Sequence, residues 1–110
     1  MEGADVFRCP ALGDVEVELT LERSIHIQKA HPADSALILE HLQAVVAQPD
    51  VSLRSQDNEQ EYLLSREFEL GTGSKHIVAI IVEQRAPRRF WIVTAFVTRR
   101  LSRGGRWIAI

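Results

Sequence analysis

The hydrophobic period changes from helical to alternating at Pro49, and that change restricts the fold more than any other feature. Before it, "PADSALILEHLQAVVAQPD" repeats Leu37, Leu39, Leu42, Val45 and Val46 at three- and four-residue spacing, the period of an amphipathic helix. Asp34 stands where a cap belongs, and Pro49 closes the run. After it, four segments have strand character: "VSLRS", "EYLLSREFEL", "KHIVAIIVEQ" and "RFWIVTAFVT". "GTGS" and "RAPR" supply turns between the last three. Links this short imply an antiparallel meander.

Ahead of the long helix, "DVEVELT" alternates Val15, Val17 and Leu19 with Glu16, Glu18 and Thr20, a strand with one wet face. Thr20 can cap a first helix, "LERSIHIQKAHP", which Pro32 stops near Ala30. The expected architecture is α+β, with two N-terminal helices packed on one face of a four- to five-stranded antiparallel sheet. At 110 residues and 45% hydrophobic content the chain makes a single domain, residues 1–110. Residues 1–13 read as an N-terminal extension and 14–107 as the core.

Cys9 is the lone cysteine, so no intrachain disulfide and no thiolate metal set can form. The four histidines lack metal-site spacing, and neither a metal nor a cofactor is expected. No apolar run is long enough to cross a bilayer, and "MEGADVFRCPALGD" lacks the pattern of a secretion signal. The expectation is a cytoplasmic protein with no membrane partner.

Charge is segregated. Residues 75–110 hold eight bases and one acid, a local charge of +7, while residues 1–74 hold five bases and fourteen acids, −9. The net charge of −2 conceals this dipole. Either the basic half meets an anionic partner, or the acids and bases pair within the fold.

The order "LTLERSIHIQKAHP", a helix ending "QPD", "LRS", an apolar strand, and "FWIVTAFVTRR" before a basic segment with Trp107 resembles small prokaryotic domains of the barnase, EndoU, colicin E5/D and RelE-like nuclease superfamily. The resemblance is to its phage- and mobile-element-associated branch and covers residues 14 to 107. It implies two N-terminal helices on a four-stranded antiparallel sheet, and metal-independent RNA cleavage of toxin or effector type. The implied partners are RNA and a neutralising protein. A catalytically inactive relative that binds RNA or protein is the alternative.

Such cleavage needs a base for the 2′-OH, an acid for the leaving oxygen and cations on the phosphorane. His26 is the candidate base, with Arg23 on the same helix face. His31 is either the acid or a cap at the helix C-terminus. Ala30 stands where the resembling sequences often carry arginine. Arg54, which matches the strand arginine of that superfamily, either grips phosphate or pairs with Glu61 or Glu67.

On the last long strand, strict alternation puts Trp91, Val93, Ala95, Val97 and Arg99 on one side, and Ile92, Thr94, Phe96 and Thr98 on the other. Thr98 is the candidate phosphate or histidine partner, with Arg99, Arg100 and Arg103 binding substrate. Trp91 reads as core, and Trp107 as either core or a stacking platform. His26, Arg54, Thr98 and Arg99 are expected to converge at the end of that strand.

Overall fold

The computed structural model describes residues 5–71, 73–101 and 106–110. Seven strands form one sheet: β1 (Asp5–Cys9), β2 (Val15–Leu19), β3 (Val51–Ser55), β4 (Glu61–Glu69), β5 (Ser74–Arg85), β6 (Arg88–Thr98) and β7 (Trp107–Ala109). Two helices, α1 (Leu21–Ala30) and α2 (Ser35–Ala47), lie between β2 and β3 in the chain.

The strand order is β1-β2-β6-β5-β4-β3-β7. This overturns the expected four- to five-stranded antiparallel sheet with N-terminal helices, because the sheet has seven strands, is mixed, and two strands precede the helices. β3 to β6 do pair sequentially and antiparallel, but β2 inserts beside β6 in parallel, through Val17↔Phe90 and Glu18↔Trp91. The reason is one of parity: β2 and β3, joined through the two helices, run antiparallel, and the three antiparallel pairings from β3 to β6 then leave β6 running parallel to β2.

The segment ahead of Asp14 carries β1, which pairs antiparallel with β2. The turn between them uses Gly13 at φ 98 and Asp14 at φ 58, a left-handed corner that glycine and aspartate tolerate. At the opposite edge β7 pairs with β3. It is three residues long, too short for periodicity to mark.

Thr20 caps α1, its Oγ1 accepting from the Arg23 N–H at 3.2 Å. The helix stops before Pro32, and the His31 N–H donates to Ile27 O. Asp34 makes no side-chain cap bond, because its backbone is already helical where a cap residue is extended. In α2 the buried residues are Ile38, Leu42, Val45 and Val46; Leu37 and Leu39 are only half-buried.

Both helices cover one face of the sheet, where Ile27, Leu42 and Val46 meet Leu64, Ile81 and Ile92 among the fully buried residues. The second face holds a smaller cluster of Leu53, Leu63 and Val78, over which Leu101 and Trp107 pack. The faces are called inner and outer below. No helix among the described residues is long and apolar enough to cross a membrane.

Candidate nucleic-acid interface

β6 organises the outer face, and one irregularity decides how. Ile81 pairs with Ile92 and Ile80 with Thr94, so Val93 has no partner and bulges out of the ladder. The extra residue resets the alternation. Phe90, Ile92 and Ala95 are buried toward the helices, while Phe96 joins the outer cluster and Thr98 lines a hollow on the outer face. Strict alternation is therefore corrected: Trp91 lies on the same side as Thr94, Phe96 and Thr98, and is half-buried instead of core.

Cross-strand rungs between β5 and β6 run down this face as Gln84–Arg89, Val82–Trp91, Ile80–Thr94, Val78–Phe96 and His76–Thr98. A hollow of about 440 Å³ opens at the first end, where β2 stops and α1 starts. Its lining includes Glu22, Arg23, Gln84, Arg89 and Trp91. A second hollow, of about 280 Å³, opens toward the other end on a floor of Leu63, Ile80 and Phe96, bounded by Thr98, Arg100 and Trp107.

The expected catalytic residues do not assemble into one group. Arg54 faces inward on β3 opposite Tyr62 and Ile108, three strands from β6. Its level in the sheet is that of Ile92, six residues from Thr98, so the two sit about 14 Å apart across the strands and about 20 Å along them. Glu61 pairs with Arg106, and Arg54 Nε is buried without a hydrogen-bond partner among the described residues. The convergence of His26, Arg54, Thr98 and Arg99 is thus corrected. Sequence order cannot reveal it, because β3 reaches β6 only through two intervening strands.

α1 runs beside the part of β6 that β2 leaves unpaired. Arg23 turns to this edge and donates to Val93 O at 3.1 Å, so its guanidinium is engaged with backbone. His26 is half-buried on the same helix. His31 occupies the helix C-cap, its ring centroid 6.4 Å from that of Phe96. Thr98 Oγ1 donates to Arg100 O at 2.8 Å, which ties the strand end to the segment that follows. The histidine opposite Thr98 is His76, a neighbour set by the β5–β6 register and invisible to a search for metal spacing. Arg103 lies outside the described residues.

Four of the eight bases in residues 75–110 are paired: Arg85 with Glu59, Arg88 with Glu83, Arg89 with Glu18 and Arg106 with Glu61. Glu83 is only 8% exposed and also accepts from Tyr62 Oη at 3.3 Å. Burial, then the Glu83 charge, raises the Tyr62 pKa, so the phenol stays a donor. Among the described residues Lys75, Arg99 and Arg100 make no ion pair, and Arg99 and Arg100 are exposed just beyond Thr98. The basic half is thus neutralised at the turn end of β5–β6 and stays cationic at the other.

Arg89 grips Glu18 through two bonds, at 2.8 and 3.2 Å, and lies over the Trp91 ring at 5.5 Å. That contact holds the Glu18 carboxyl below the ordinary carboxylate range, chiefly by hydrogen bonding. A depressed folded pKa gives stability that is complete above the unfolded value, near 4.3 for glutamate, and lost as pH falls through the folded value. Glu18→Gln is expected to be less stable than the parent at neutral pH and indistinguishable from it near pH 2, by thermal melts at both. An equal deficit at both pH values would assign the loss to packing.

Among the described residues no cluster of three or more histidine, cysteine, aspartate or glutamate side chains could hold a metal. No protein family, no curated protein and no solved structure matches this chain.

Proposed function

We propose that this protein is a single-strand RNA-binding module that does not cleave its ligand. One observation carries the reading: Arg99 and Arg100, exposed and without an ion pair among the described residues, follow Thr98 at the strand end, and Arg100 lines a hollow floored by Phe96 and walled by Trp107. Cations that take phosphates beside aromatic rings that take bases are the two parts a single-strand site requires. Arg106, 5.2 Å above the Trp107 ring, steadies that indole from one side.

The binding alternative is preferred to the ribonuclease suggested by the superfamily resemblance because the proposed kit is divided. Arg54 is on the far part of the inner face and Arg23 is engaged with Val93 O, so neither stands beside Thr98. A general base and transition-state cations contribute only when they meet at one phosphate.

The test uses a fluorescent single-stranded RNA in EDTA, followed by anisotropy and then by gel analysis of the recovered strand. Saturable binding with intact RNA is expected. Products ending in a 2′,3′-cyclic phosphate would restore the enzyme reading, and an RNA that does not bind at low salt would end both.

A further inference from the structure

We infer that the bound strand is not confined to the hollow at Trp107 but runs along the outer face of β6 to the larger hollow at Trp91, so that the site takes about five nucleotides. The inference rests on the RNA-binding reading and adds its length and course.

The two hollows are ends of one surface. Trp91 lines one hollow and Ile80, Phe96 and Thr98 line the other, and between them Thr94 on β6 and Val82 on β5 face outward. Trp91, Thr94, Phe96 and Thr98 are all partly exposed, so a ligand can reach each of them. From Trp91 to Thr98 the strand covers about 20 Å, with a hollow opening on the path near each end. That length matches about five nucleotides, inside the range of about 4 to 16 that a small sheet platform holds.

The ends differ in chemistry. At the Thr98 end Arg99 and Arg100 have no acidic partner among the described residues and suit phosphate. At the Trp91 end Arg89 is matched by Glu18, and the unpaired Glu22 carboxylate adds negative charge beside Arg23. A balanced pocket of this kind repels no base but offers no net cation to a phosphate. Glu22 and Gln84 make no side-chain bond within the described residues that would occupy their carboxylate and amide, and both line the hollow beside the indole. Stacking on Trp91 with edge-on hydrogen bonds to Glu22 and Gln84 is the arrangement a nucleobase accepts.

The bulge at Val93 gives this path its continuity. Without it Trp91 and Phe96 would face opposite sides of the sheet.

RNA oligonucleotides of about 2 to 10 residues test the proposal by fluorescence anisotropy. Affinity should climb to about five nucleotides and then level off. Trp91→Ala should weaken the longer oligonucleotides by about 5- to 100-fold, the usual worth of one stacked base, and leave the dinucleotide unchanged. Thr94→Glu, a carboxylate on the exposed middle of the path, should do the same without removing an aromatic ring, and decides the matter if Trp91→Ala fails to fold. Affinity independent of length would confine the ligand to the Trp107 hollow, and equal losses at all lengths would place it at Trp91 alone; either would overturn the inference while the RNA-binding reading survives. Loss of all RNA binding by the parent would overturn that reading itself. Long RNA unaffected by either substitution would likewise confine the ligand to the Trp107 hollow and overturn the inference.

Discussion

Replacing Arg99 and Arg100 together by alanine should weaken single-strand RNA binding by about 10- to 100-fold at low salt, and reduce the salt dependence of log K by about 1.4, two phosphates at about 0.7 each. Both side chains are exposed and have no acidic partner among the described residues, so their removal disturbs no internal contact. Arg85→Ala is the control. It removes one positive charge from the same basic half, against two in the double variant, but Arg85 already pairs with Glu59 at 3.3 Å. Its effect on affinity should be small, because freeing Glu59 and removing Arg85 happens far from the Trp107 hollow. Titrations at several salt concentrations separate the cases. A loss for Arg85→Ala of about half that of the Arg99–Arg100 pair in log K would mean that only overall charge matters and that no localised site exists.

Ile27→Ala should destabilise the fold by about 2–5 kcal/mol, read from urea denaturation. Ile27 is the buried residue of α1, at 0% exposure, and it joins the helix to the inner core. The rest of the helix is held by the Thr20 cap and the Arg23 bond to Val93 O. A single partly buried bond of that kind is worth about 1 kcal/mol, so the isoleucine is the main anchor. Loosening α1 would also uncover the part of β6 that β2 does not pair, a strand edge able to template association. Amide exchange should therefore accelerate in both α1 and β6, and light scattering should rise with concentration. A loss below about 1 kcal/mol would mean that α1 contributes little to the cooperative unit.

The elements most readable from sequence were those whose signal is local. The α1 boundaries follow from a threonine that caps and a proline that stops, and both act within one turn of helix. β3 to β6 follow from apolar runs separated by turn residues. β7 and β1 escape the same reading because three residues carry too little period, and because β1 looks like a strand only beside β2. Of the candidate site, Thr98, Arg99 and Arg100 are adjacent by covalent chemistry and remain together. Arg54 was grouped with them by an order of motifs, and order along the chain does not fix lateral position in a sheet.

Two decisive features exist only in three dimensions. The first is the bulge at Val93, since a ladder has an extra residue only relative to its partner strand, and alternation within "FWIVTAFVT" cannot register it. The second is which arginines stay cationic. The sequence determines that residues 75–110 carry an excess of bases, but Arg89 loses its availability to Glu18, 71 residues away, because parallel insertion of β2 brings that carboxylate to it. Composition and local period set what the chain can form, whereas the pairing of distant strands sets which side chains meet. Coulomb and hydrogen-bond forces at about 3 Å act only on the second.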